Sequence, residues 1–183
     1  SICFARGVSR TSRTVRMKGF GQIQISAVGP TTVQIVANRV EAALAFEDCG
    51  SVSVSGLEIA TPDGNGAIGN SDKKHRLGSL DIGHCPRVDV RGCLLRCGGG
   101  TSPQRSCLSI RGWSESLGSF RATESVRVIG NRFTAGNLQE AVVVTDAIDV
   151  DISDNRFSVH PRASVAISID RFISDKTWLA NAV

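Results

Sequence analysis

Apolar and polar residues alternate along much of this chain with a period of two, the pattern of strands that bury one face. The clearest stretches are Val126-Arg127-Val128-Ile129-Gly130-Asn131-Arg132-Phe133 and Val150-Asp151-Ile152-Ser153-Asp154-Asn155-Arg156-Phe157, one phrase written twice, twenty-four residues apart. Each copy is an alternating apolar run, a turn at Gly or Asp, then Asn, Arg and Phe. Earlier copies turn at Gly92, after Val88-Asp89-Val90-Arg91, and at Gly56, after Val52-Ser53-Val54-Ser55; Gly19, after Val15-Arg16-Met17-Lys18, makes a fifth. The turn residues 19, 56, 92, 130 and 154 are separated by 37, 36, 38 and 24 residues, which implies a minimal unit of twenty-four carrying loop insertions. Repetition at such a period predicts a solenoid.

A second column of strands precedes these turns at Leu44-Ala45-Phe46, Leu80-Asp81-Ile82, Leu108-Ser109-Ile110, Val142-Val143-Val144 and Val165-Ala166-Ile167. Leu44, Leu80 and Val142 each stand eight residues before Val52, Val88 and Val150, the fixed spacing that a coil of strands and short turns requires. Thr32 to Ala37 is a further strand by its β-branched alternation. Residues 2 to 23 read as an opening strand Ile2-Cys3-Phe4, a turn at Arg6-Gly7, a polar stretch, and Thr14 to Lys18 as the first full strand.

The alternation turns Val52, Val54, Val88, Val90, Val126, Val128, Val150 and Ile152 inward, with Ile59, Leu95, Phe133 and Phe157 as one stacked inner column. Asn131 and Asn155 stack just past the turn, where Asn tolerates left-handed backbone and its amide bonds to the copy above. The main insertions are 60–79, 96–107 and 112–122. The tail from Asp170 breaks the pattern and reads as a cap over 170–183, with Phe172 and Trp178 packing inward. One domain spans 1–183, and because Ser1 starts almost inside a strand, the chain reads as an excerpt of a longer protein.

With 183 residues, 41% hydrophobic and 21% charged, the chain is large enough for one core and is not a disordered tail. Net charge is +4, with arginine spread along the chain, so no basic stripe interleaved with aromatics marks a nucleic-acid surface. No apolar run is long enough to span a membrane. Cys49 and Cys85 share a slot with Thr123 and Ala147, three residues before the first valine of each repeat. That slot takes small side chains, so the cysteines are expected as buried free thiols rather than disulfides.

Repeats of the form Val-x-Val-x-x-(Gly/Asp)-Asn-x-Phe, with an opening like Ile2 to Gly7, resemble right-handed parallel β-helix proteins of the pectate-lyase-like superfamily, over roughly residues 2 to 170. The resemblance implies an all-β, single-stranded, right-handed parallel β-helix of about five to six coils with a short C-terminal cap. It implies an extracellular or cell-surface setting, and leaves the activity open between lyases, hydrolases, epimerases, tail proteins and adhesins.

Candidate chemistry is sparse. The outward residues of the turn-bearing strands run Arg16, Ser53, Asp89, Arg127, Asp151, which sets Arg127 between two carboxylates. Arg pairing a substrate carboxylate beside an acidic proton-transfer residue is a uronate-type arrangement, with Asp89, Arg127 and Asp151 as its catalytic candidates. The plainer reading is an exposed charge ladder that keeps coils in register. Asp48 and His84 share a slot in adjacent coils, where the pair either tunes a base or closes a turn, and Ala122 comes next. The polar loop supplies Lys73, His75 and Arg76 as substrate-binding candidates with His84, or is a solvated loop. Cysteine spacing disfavours zinc, Asp149 and Asp151 are too few for calcium, and no cofactor is called for.

The polygalacturonase-like motifs Asn-Thr-Asp, Asp-Asp and Gly-His-Gly are missing, as is the Asp-Pro-His-Asp of mannuronan epimerases. Tyr is absent and aromatic content is 5%, so platforms for sugar rings are few. The expected function is a non-catalytic structural or glycan-contacting module of a larger surface or phage-tail-like protein. The alternative is a polysaccharide lyase or hydrolase acting on an acidic polysaccharide. Expected partners are a polysaccharide, a second copy or further domains, with no nucleic acid and no membrane.

Overall fold

The structure is a computed structural model that describes residues 6–27, 33–37, 42–62, 77–98, 105–114, 119–136, 139–161 and 166–170. β1 (Gly7–Thr11), β2 (Val15–Lys18) and β3 (Ile23–Ser26) each start a different sheet. The chain then revisits the three sheets in the same rotation, with β4 (Val33–Ala37), β5 (Leu44–Glu47) and β6 (Ser51–Ser55), then β7 (Leu57–Thr61), β8 (Leu77–Gly83) and β9 (Arg87–Arg91). β10 (Leu94–Cys97) and β11 (Arg105–Arg111) follow. An antiparallel hairpin of β12 (Trp113–Ser114) and β13 (Ser119–Phe120) interrupts, and β14 (Thr123–Ile129) resumes the rotation. β15 (Arg132–Ala135), β16 (Glu140–Thr145), β17 (Ala147–Ser153), β18 (Arg156–Val159) and β19 (Ile167–Asp170) continue it.

The first sheet is β1-β4-β7-β10-β15-β18, the second β2-β5-β8-β11-β16-β19 and the third β3-β6-β9-β14-β17. Within each, neighbouring strands run parallel. The protein is therefore all-β and solenoid-like, with three parallel sheets stacked around one core and no helix among the described residues. Consequently none of these residues forms a helix that could cross a membrane.

Register explains the irregular repeat. Ile23, Val52, Val88, Val126 and Val150 are successive partners, separated by 29, 36, 38 and 24 residues. Insertions lie between β7 and β8, between β10 and β11, and at the β12–β13 hairpin, as the sequence spacing indicates.

The turn at Gly19 differs from the sequence expectation: Val15 pairs with Leu44, so Val15–Lys18 belongs to the second sheet and Ile23–Ser26 is the member of the third. The physical reason is that both corners use left-handed backbone. Between the second and third sheets the residue is Gly19, Asp48, His84 or Asp146, at φ 74, 56, 55 and 59°. Between the third and first it is Gly56, Gly92, Gly130 or Asp154, at φ 68, 58, 67 and 57°. A glycine alone cannot say which corner it turns, whereas the eight-residue step from Val15 to Ile23 could have.

Two other boundaries move. Gly7–Thr11 is a strand rather than a polar connection, and the last strand pairs Ile167, not Val165, with Val142. The Ile2–Phe4 strand and the cap beyond Asp170 lie outside the described residues.

The core follows the alternation. Val52, Val54, Val88, Val90, Val126 and Val128 are buried, while Val150 and Ile152, on the last strand of the third sheet, are half-buried. Ile35, Ile59, Leu95, Phe133 and Phe157 stack in register, and the two phenyl rings lie 5.2 Å apart and 8° from parallel. Leu44, Leu80, Leu108 and Val142 form the matching column of the second sheet. Each such side chain contributes about 1.5–3 kcal/mol by leaving water.

The third-to-first corner is held by an amide ladder. Asn131 donates its Nδ2–H to Val90 O (2.9 Å) and to Asn155 Oδ1 (3.0 Å), and accepts at Oδ1 from the Cys93 N–H (2.8 Å). Asn155 repeats the contact to Val128 O at 2.7 Å. Cys93 stands in the same slot one circuit earlier and points its thiol at Val54 O (3.6 Å). The left-handed residue is the one before each Asn, Gly130 or Asp154, rather than the Asn itself.

Asn131→Ala removes the partner of one donor, the Cys93 N–H, and of two acceptors, Val90 O and Asn155 Oδ1. It is expected to lower unfolding free energy by about 2–4 kcal/mol, more than Asn155→Ala, as read from urea midpoints at constant m.

Candidate functional site

The outward face of the third sheet carries the sequence-predicted residues. Gln24, Ser53, Asp89, Arg127 and Asp151 are register partners in that order, so Arg127 does sit between Asp89 and Asp151; Arg16, expected in this row, instead faces out of the second sheet opposite Ala45. The short hydrogen bonds run elsewhere. Arg127 Nη2 donates to Asp149 Oδ2 at 2.7 Å, and Arg91 Nε donates to Asp89 Oδ1 at 2.6 Å.

These contacts set the charges. The Arg127 hydrogen bond holds the Asp149 carboxyl below its ordinary pKa, while Asp149 and Asp89 raise Arg127 and Arg91 respectively. Asp149 therefore offers no proton near neutral pH. Both contacts are solvent-screened ion pairs that contribute little to stability, the Arg127–Asp149 pair across strands and the Arg91–Asp89 pair within one.

At the second-to-third corner, His84 Nδ1 lies 3.0 Å from Asp48 Oδ1, and Lys18 Nζ lies 3.7 Å from Asp48 Oδ2. Both Asp48 and His84 are left-handed, and their N–H groups donate to Gly83 O and Arg111 O of the next circuit. In the slot the following described left-handed residue is Asp146, because the hairpin displaces the corner before Ala122. The fold thus brings His84 to Asp48, and the thiols that follow them in sequence, Cys49 and Cys85, are buried. Lys73, His75 and Arg76 lie outside the described residues.

Sequence reasoning missed a buried ion pair on the outward face of the second sheet. Asp81 on β8 receives Arg111 of β11 in a two-pronged contact, Nη2 to Oδ2 at 3.0 Å and Nε to Oδ1 at 3.3 Å, with the side chains 2% and 3% exposed. Glu47 on β5 accepts from Arg16 Nη1 (3.3 Å) and Ser114 Oγ (3.4 Å). Arg111 also donates to Trp113 O at 2.9 Å, which ties the β12–β13 hairpin to the sheet.

Gly83 makes room for this: a Cβ there would sit 2.9 Å from Arg111 Cζ. The sequence did carry a signal. Arg111 immediately precedes an insertion, and Asp81 is an outward acid in a strand otherwise read only for its leucine and isoleucine. The arrangement is an ionic staple in which Asp81 is engaged by Arg111 and Glu47 by Arg16.

The five cysteines among the described residues are buried free thiols, as the small-residue slot indicates. Cys49 N–H contacts Cys85 Sγ at 3.4 Å, and the Cys85 thiol donates to Gly83 O at 3.2 Å. Burial pushes Cys85 up to about 12 and Cys93 up to about 11, and raises Cys107 well above its ordinary value. Among the described residues no three His, Cys, Asp or Glu side chains converge as a metal site. Comparison with known protein families, curated proteins and solved structures returned no match.

Asp81→Asn leaves the Arg111 cation buried without its partner and is expected to cost about 3–5 kcal/mol, whereas Arg127→Ala leaves the urea midpoint nearly unchanged. Equal effects of the two would contradict this division. The thiols predict an alkaline limit. Their folded pKa values lie above the unfolded value, so stability holds below about pH 9 and falls as pH rises toward 11–12. Denaturation midpoints across pH 7.5–10.5 should drop, and Cys85→Ala should flatten the curve relative to its own neutral value.

Proposed function

We propose that the chain is a non-catalytic module, a structural or glycan-contacting segment of a larger surface-exposed or phage-tail-like protein. In this reading its three sheets are a single-stranded, right-handed parallel β-helix of about five to six coils, akin to the pectate-lyase-like superfamily, in an extracellular setting. The observation that carries it is how the charged side chains are used. Arg127 is bonded to Asp149, Asp81 to Arg111 and Glu47 to Arg16 across neighbouring strands, and Asp89 to Arg91 within its own strand, so each of these acids is engaged by a cation of the scaffold itself. A hydrolase or lyase needs a carboxyl group or base left in a tunable state.

The second reading, an acidic-polysaccharide lyase or hydrolase using Asp89, Arg127 and Asp151, draws on the register that seats Arg127 between the two acids. Screening the folded chain against acidic and neutral polysaccharides, for unsaturated product and new reducing ends, decides between them. The module reading predicts neither product. Turnover abolished by Arg127→Ala in a protein that still folds would overturn it.

A further inference from the structure

The repeated Asn-Arg-Phe phrase has two members accounted for by the fold, the asparagine ladder and the phenyl stack. The arginine between them is not. Arg132 and Arg156 are direct register partners on β15 and β18, both exposed on the outward face of the first sheet. Adjacent parallel strands lie about 4.8 Å apart, so two like charges are set side by side, which a sheet disfavours. Among the described residues neither guanidinium has an ion-pair partner. Their other register neighbour is Leu94, and the row beside them holds the exposed hydroxyls of Thr134 and Ser158, also in register. Arg96, on the neighbouring strand, pairs with Glu58 at 3.4 Å.

The two cations stand on pinned backbone. On one side of each is an Asn whose amide bonds across circuits, and on the other a Phe stacked on its copy 5.2 Å away. Holding guanidiniums on fixed strands reduces the ordering cost of binding, and a planar fork matches a carboxylate through two parallel hydrogen bonds.

We infer that Arg132 and Arg156 form a binding site for an acidic polysaccharide, successive carboxylates taking successive arginines with Thr134 and Ser158 donating to sugar oxygens. This rests on the reading of the chain as a glycan-contacting module and locates the contact. The face favours this ligand over others. Among the described residues no Phe or Trp stands outward beside the arginines, so the face lacks the stacking platform that single-stranded nucleic acid uses.

Affinity electrophoresis of the whole chain through gels containing a polyuronate, neutral dextran or an oligonucleotide tests the site. Retardation by the polyuronate alone is expected, weakening with salt. Arg132→Gln with Arg156→Gln should reduce that affinity about tenfold or more while melting no lower than the parent, since a repulsive pair is removed. Arg87→Gln, exposed on the third sheet, should bind as the parent does. Undiminished binding by the double variant, equal loss in Arg87→Gln, stronger retardation by the oligonucleotide, or no retardation at all would overturn the site. The module reading fails separately, by turnover in the polysaccharide screen.

Discussion

In the three parallel sheets, the described strands pair each residue with its counterpart one circuit away, and that pairing is the constraint on which the molecule depends. A parallel strand cannot be completed by a hairpin; the chain must travel through two other strands and two or three corners before it returns. The return has to be in register, because a slip of one residue would turn Val126 and Val128 outward and Arg127 into the core. The left-handed corners enforce this. Gly56, Gly92, Gly130 and Asp154 turn the chain at equivalent points, and the Asn131–Asn155 amide ladder with the Cys93 thiol ties consecutive corners together.

The same constraint explains where polar residues go. Insertions leave the sheets only at strand ends, so they cannot disturb the ladders, and one of them is bound back to the sheet by Arg111. Burying the Asp81–Arg111 pair stabilises little by itself, but breaking it is costly, so it fixes one arrangement of the hairpin against alternatives. On the third sheet the same residue types stand exposed to water, where Arg127 and Asp149 pair across strands. Burial, not residue type, separates the two sets.

Much of the fold was legible in the sequence because its physics is local. Period-two alternation gave Val52 to Ile152 their inward direction, and the shared slot of Cys49, Cys85, Thr123 and Ala147 indicated packed thiols. The register row Ser53, Asp89, Arg127, Asp151 was also readable, since it follows from aligning one repeat on the next. What failed was whatever depends on which corner a glycine turns, hence the displacement of Arg16. The hydrogen-bond choices of Arg127 were hidden too: side-chain reach lets it take the diagonal Asp149 over its direct neighbours. The Asp81–Arg111 pair escaped notice because sequence alternation cannot say that an outward face is covered.

If circuits are equivalent and contact only their neighbours, one can be removed whole. The direct measurement is the thermal melt and far-ultraviolet circular dichroism of a chain lacking residues 132–155, which joins Asn131 to Arg156, beside one lacking 132–151, which breaks the period. The account predicts a cooperative β-sheet transition for the first and none for the second. Loss of folding in both, or its retention in both, would contradict a register set by the twenty-four-residue circuit.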